Sequence, residues 1–181
     1  MFEIHTALLI TGLLILAGMV IVPVFFGAPW HPLLPGTIRR ILRFADIQPG
    51  ETVCDLGCGE GRVLITAAKE FSAKGIGVEI DLLKVGLARL LARINGVDDR
   101  VRIVRGNLFD FDPGSADVLY LYLTHQAMDR LFPEILKKLK PSVRIVSYRF
   151  CLRGMTPEKV SADKTLFLYR LDKGTKINNY S

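Results

Sequence analysis

Val53-Cys54-Asp55-Leu56-Gly57-Cys58-Gly59-Glu60-Gly61-Arg62 is the stretch that decides how this chain folds. An apolar pair and an acid lead into three glycines at alternate positions, and the amphipathic run Val63-Leu64-Ile65-Thr66-Ala67-Ala68 follows directly. The pattern predicts a buried strand, a tight turn and a helix start. Glycine suits such a turn because the backbone takes positive φ and lies close to a ligand with no Cβ in the way. The spacing is G-x-G-x-G, not the G-x-G-x-x-G of dinucleotide-binding loops. Glu60 within the turn would also repel a pyrophosphate.

Without phosphate, the loop suits a cationic ligand carrying a ribose diol, and S-adenosylmethionine (SAM) has an ammonium, a sulfonium and that diol. A second acid strengthens the reading. Ala73-Lys74-Gly75-Ile76-Gly77-Val78-Glu79-Ile80 reads as the next parallel strand, with Glu79 at its carboxyl end. Ligands of open α/β sheets bind outside the carboxyl ends of strands, and a carboxylate there accepts both ribose hydroxyls. The competing role for Glu79 is to cap the helix beginning at Asp81.

The remaining pattern alternates helices and strands. Helices are expected over Thr37 to Ala45, Asp81 to Ile94 and Gln126 to Leu139, the last kinked at Pro133. Further strands are expected over Val101 to Val104, Asp117 to Leu123 and Val143 to Tyr148, with a final antiparallel strand at Leu166 to Leu171. The fold class is therefore α/β, a doubly wound and mostly parallel sheet. After the third strand, Asn107 is placed to bond an adenine amino group while Leu108 packs on the ring. The cofactor-binding set is Asp55, Gly57, Cys58, Gly59, Gly61, Glu79, Asn107 and Leu108.

Thr6 to Phe26 is a run of 21 residues without a charge, and about 20 apolar residues cross a bilayer core. The first residues carry no Lys or Arg, unlike a cleaved signal peptide. Residues 1–28 are thus expected to be a transmembrane anchor, 29–36 a Pro-rich linker, 37–173 the SAM-binding domain and 174–181 a loose tail. Arg39, Arg40 and Arg43 follow the span and only Glu3 precedes it. The positive-inside rule then predicts a single-pass membrane protein with its N-terminus out and its catalytic domain cytosolic.

The chain has 181 residues and a formal net charge of +6. Its basic residues are scattered among apolar ones and form no stripe, which argues against a nucleic-acid partner. Cys54, Cys58 and Cys151 lack zinc spacing, so no metal is expected, and all three read as small buried hydrophobes in a reducing compartment.

The D-x-G-x-G-x-G loop, the acid ending the second strand and the Asn107-Leu108 turn resemble class I SAM-dependent methyltransferases. From about Pro29 to Leu171 the chain resembles the small protein-lysine methyltransferases, which include archaeal enzymes and a membrane-anchored mitochondrial enzyme acting on the ATP synthase c subunit. Pro29-Trp30-His31-Pro32 is similar to that family's Pro-Tyr-x-Pro entry. Arg39-Arg40, Ser147-Tyr148-Arg149-Phe150, Arg153-Gly154 and Pro157 also match. Trp30 in place of tyrosine, Leu33-Leu34 in place of Thr-Pro and Met155 in place of an aromatic are departures. The resemblance implies a Rossmann-like methyltransferase fold, SAM as cofactor, and N-methylation of lysine in a protein at or near the membrane. Transfer to a lipid or quinone head group, or to a nucleic acid, is the alternative activity, and a SAM-binding scaffold without turnover is the non-catalytic one. Tyr122 at the end of the fourth strand, and then Trp30, are the candidates for an aromatic wall around the acceptor; no residue is assigned as general base.

Overall fold

The computed structural model describes residues 5–7, 9–12 and 32–171. Its elements run α1 (Pro35–Phe44), β1 (Thr52–Leu56), α2 (Arg62–Phe71), β2 (Lys74–Glu79), α3 (Leu82–Ile94), β3 (Val101–Arg105), β4 (Val118–Leu121), α4 (His125–Leu136), β5 (Arg144–Tyr148), β6 (Lys159–Val160) and β7 (Leu166–Arg170). They build one seven-stranded sheet of order β3-β2-β1-β4-β5-β7-β6. The first five of these are parallel, β7 is antiparallel to β5 and β6 antiparallel to β7.

Alternation along the strands divides the core between two faces. Val53, Val118, Tyr120, Val146 and Tyr148 face the layer of α1, α2 and α3, where Ile38, Ile41, Leu42, Leu64, Ala67 and Ala88 are buried. Cys54, Leu119, Leu121 and Ile145 face the other way, onto Met128, Leu131, Phe132 and Ile135 of α4. A sheet covered on both faces accounts for the apolar runs at its centre. The strand order reverses between β1 and β4, and a ligand crevice opens at the carboxyl ends of strands at such a point.

Helix α1 begins earlier than its apolar spacing predicts because Pro35 sits in its first turn, where the missing N–H costs nothing. Arg39 clamps it to Glu70 of α2 at 2.7 and 2.8 Å, and Arg40 reaches Asp163 at 2.6 Å. These pairs are half-exposed and contribute little beside the burial of Ile38, Ile41 and Leu42. The β4 strand is shorter than the expected Asp117 to Leu123. Asp117 accepts from Thr52 N at 2.8 Å and pairs with Lys140 at 2.6 Å, so it ends a turn, and Tyr122 lies past the strand. Helix α4 starts one residue before Gln126, capped by Thr124 Oγ1, and ends at Leu136 with Pro133 inside it.

Two expectations need correction. Among the described residues no helix is long and apolar enough to cross a membrane. The longest described helix, α3, has 13 residues, about 20 Å at 1.5 Å per residue, against a hydrocarbon core of about 30 Å. That finding overturns both the fold class with one N-terminal transmembrane helix and the single-pass localisation with a cytosolic domain. Of the stretch 6–26, residues 6, 7 and 9–12 are helical, and the rest lies outside the described residues, as do Trp30 and the linker up to residue 31. The second correction concerns cysteine. Cys54 and Cys58 are buried, and burial pushes both thiols up so that they stay protonated, whereas Cys151 is exposed.

Candidate functional site

A single cleft opens at the switch point and gathers most of the residues selected from the sequence. Asp55, Gly57, Cys58, Gly59, Glu79, Asn107, Leu108 and Tyr122 all line it. Gly61 stands just behind as the left-handed N-cap of α2, with φ of 75°.

The loop conformation follows from its glycines. Gly57 and Gly59 have φ of 85° and 55°, values that favour residues without a Cβ. The turn is then tied to the end of β2. Gly57 N and Cys58 N both donate to Val78 O, at 2.9 and 3.0 Å. Gly59 N donates to Glu79 Oε2 at 2.9 Å, while Glu79 Oε1 accepts from Ile80 N at 2.9 Å and Asp81 N at 3.0 Å. Glu79 therefore does more than face a ligand: it holds the glycine loop against the second strand. It is not the helix cap, because Asp81 Oδ1 accepts from Leu83 N and Lys84 N at the start of α3. Three amides occupy most of a carboxylate's roughly four acceptor positions, which leaves little more than one for a ribose hydroxyl.

Close packing behind the loop was not visible in the sequence. A Cβ on Gly77 would lie 2.6 Å from both Cys58 Sγ and Leu64 Cδ1. Gly77 is thus the residue that lets the loop and α2 settle onto β2.

Asp55, 4% exposed, pairs in register with Tyr120 of β4. Burial, and then the charge of Glu79, pushes its carboxyl up to about 8. A cation placed beside it would restore the carboxylate. Asn107 Oδ1 accepts from Phe109 N at 3.1 Å, which closes a side-chain turn at the mouth of β3 and leaves one lone pair of that oxygen. The donor set as a whole is two carboxylates, backbone amides and an asparagine. It fits an ammonium, a sulfonium and a diol; the cations in the lining, Arg62 and Lys84, are paired with Glu60 and Asp81.

A group of tyrosines shares the cleft, starting on β4 beside Asp55 of β1. Tyr120 and Tyr122 line it together with Pro32, Leu33 and Ile38 from the start of the α1 region. The Tyr122 and Tyr148 rings meet at 5.0 Å between centroids, tilted by 58°. Arg149, with φ of 69°, lays its guanidinium 5.4 Å from the Tyr148 centroid. Sequence reasoning had found Tyr122 but missed Tyr120 and Tyr148. The available signal was parity: Tyr120 and Tyr122 are two apart on one strand and so share a face.

The sheet order, the glycine loop and the acid closing β2 define a Rossmann-like class I methyltransferase domain. Residues 55–159 match the family model described as the ANTKMT methyltransferase domain. A protein-lysine N-methyltransferase of Saccharolobus islandicus is 38% identical over 148 residues, covering 78% of this chain and 92% of that protein. A ribosomal protein L11 methyltransferase of Caldanaerobacter subterraneus is 33% identical over 117 residues, and there the match spans only 36% of the relative's length. The crystal structure of an RNA methyltransferase from Salinibacter ruber with S-adenosyl-L-homocysteine (SAH) superposes with a TM-score of 0.77 at 31% identity, covering 82% of this chain and all of that one. The chain belongs to the ANTKMT methyltransferase domain family. It is a methyltransferase whose cofactor is SAM.

Proposed function

We propose that the protein transfers the methyl group of SAM to lysine side chains of a protein substrate. The observation that carries this reading is the tyrosine wall that shares one cleft with the glycine loop. When bound, SAM supplies a methyl group already activated by its sulfonium. The protein's part is to align the nucleophile and exclude water. Glu79 binds a ribose hydroxyl while keeping the loop closed, and Asp55 faces the cationic amino-acid portion. Asn107 and Leu108 hold the adenine. Gly57, Cys58, Gly59 and Gly61 provide the close backbone approach.

The acceptor end is apolar and aromatic, with Leu33, Ile38, Tyr120 and Tyr122 around it. A lysine amine has a pKa of about 10.4 in water and is nucleophilic only when neutral. Entry into such surroundings disfavours the ammonium by desolvation. Arg149, positively charged and stacked on Tyr148, acts in the same direction. The protein-lysine activity of the Saccharolobus relative supports this acceptor, and that relative matches over nearly its whole length. A second reading, transfer to RNA, draws on the likeness to the Salinibacter RNA methyltransferase.

The two separate in one experiment. The protein is incubated with methyl-labelled SAM and a cell extract, which is then divided into protein, nucleic-acid and organic-soluble fractions. Label in protein, recovered as methyllysine, is expected. Label confined to RNA or to the organic fraction would replace the proposal.

A further inference from the structure

Tyr120 carries an unexplained polar atom. The residue is 3% exposed, and its hydroxyl has no hydrogen-bond partner in the structure. Buried polar groups are nearly always paired, so a lone one at a ligand cleft calls for a cause. The ring belongs to the face of the sheet covered by α1, in register with Asp55 of β1 on one side and Val146 of β5 on the other. The groups whose charge it feels are Asp55, Tyr122 and Tyr148. It therefore stands on the border between the cofactor loop and the tyrosine wall, where a methyl group has to pass. Leu33 and Ile38, which share the cleft, have no side-chain donor to satisfy it.

We infer that the Tyr120 hydroxyl is a catalytic hydrogen-bond partner of the methyl-acceptor nitrogen: its oxygen accepts an N–H of the incoming neutral primary amine and turns the nitrogen lone pair toward the methyl carbon. This inference rests on the lysine reading above. In the step, the nitrogen lone pair forms the N–C bond while the C–S bond breaks, with its electron pair going to sulfur. The proton of the resulting methylammonium leaves to solvent, and the one that had to be lost beforehand went to solvent on entry. Burial holds the Tyr120 phenol well above its ordinary pKa, so it remains protonated throughout and serves as a fixed dipole, never as a base. The α1 helix, packed over this face of the sheet, keeps the hydroxyl away from bulk water.

The variant that tests this is Tyr120→Phe, which removes only the oxygen. Three quantities are measured: thermal unfolding of the ligand-free protein, SAH affinity by calorimetry, and kcat for a lysine-containing protein substrate at saturating SAM. Removal of an unpaired buried hydroxyl should leave the unfolding midpoint equal or higher, because nothing in the free protein loses a partner. SAH affinity should stay within about twofold. The kcat value should fall by roughly 10- to 100-fold, the loss expected for one hydrogen bond that orients a reacting group. An unchanged kcat would overturn the proposal. So would a loss of SAH affinity large enough to account for the lower rate, since the hydroxyl would then serve the cofactor. A destabilised variant would show that the oxygen has a structural partner and would overturn it as well. Failure of the lysine reading is distinguishable, because the wild-type protein would then not label lysine at all.

Discussion

Replacement of Glu79 by glutamine tests whether one carboxylate serves both the loop and the cofactor. In the structure Oε2 accepts Gly59 N–H, and Oε1 accepts the N–H groups of Ile80 and Asp81. Glutamine must put a donor nitrogen at one of these two places. Opposite Ile80 and Asp81 it would face two donors, and opposite Gly59 only one, so the lower-energy orientation breaks the Gly59 bond. A hydrogen bond to a charged group contributes about 1.5–3 kcal/mol. The unfolding midpoint should therefore fall by about 5–10 °C, given the usual few degrees per kcal/mol for a domain of this size. The same substitution weakens an acceptor for the ribose and frees the loop, so SAH affinity should drop by roughly 10- to 150-fold, at about 1.4 kcal/mol per tenfold. Calorimetric titration with SAH and a thermal melt on the same sample give both numbers. A lower midpoint with unchanged SAH affinity would refute the reasoning, because Glu79 would then be a loop anchor alone.

Further predictions rest on Asp55, Gly77, Gly86 and Arg149. The Asp55 carboxyl, pushed up to about 8, is protonated in the ligand-free fold at pH 7. A raised carboxyl stabilises the fold fully only below its unfolded pKa near 4, and that contribution is lost as pH rises toward 8. Asp55→Asn should therefore gain stability relative to the wild type across this window. Binding of the SAM cation should release a proton, seen as a buffer-dependent binding heat near pH 7 that vanishes in Asp55→Asn; absence of proton release in the wild type would be contrary. Gly77→Ala should cost about 1–3 kcal/mol by overpacking and weaken SAH binding by displacing Cys58, because its Cβ would sit 2.6 Å from Cys58 Sγ. Gly86→Ala, in the interior of α3 with nothing within 4 Å, should stabilise by about 0.5–1 kcal/mol without changing activity, and urea unfolding checks both. Arg149→Gln should move the pH profile of kcat/KM for a lysine substrate to higher pH, since removal of a nearby cation makes the ammonium easier to retain; an unmoved profile would remove Arg149 from the acceptor site.

The cofactor half of the site was legible because its determinants are local. Asp55 through Gly61 and then Glu79 lie within one βαβ unit, and their spacing survives whatever the rest of the chain does. Asn107, selected on the same logic one unit further on, lines the same cleft. The acceptor half depends on strand order. Tyr122 meets Tyr148, and Tyr120 meets Asp55, only once β4 is known to insert between β1 and β5, and no periodicity along the chain reports that order. Glu79's grip on Gly59 was equally hidden, since it depends on the positive φ values of the loop. Gly77 looked like one more strand residue until Cys58 and Leu64 were seen to crowd it. The single-pass anchor rested on the apolar run, the arginines after it and the likeness to a membrane-anchored enzyme, and among the described residues no helix is long and apolar enough to cross a membrane. Cys151 was misjudged for a related reason: burial of a small residue after a strand end is decided by the loop's path.

The central claim is methyl transfer to a lysine amine at the tyrosine end of the cleft. Its most direct test uses a protein mixture that the enzyme labels from methyl-labelled SAM, assayed before and after all accessible lysines have been blocked by acetylation, which removes the nucleophilic lone pair. The account predicts that blocking abolishes incorporation, while the unblocked sample yields methyllysine on hydrolysis. Equal incorporation into blocked and unblocked protein would contradict it.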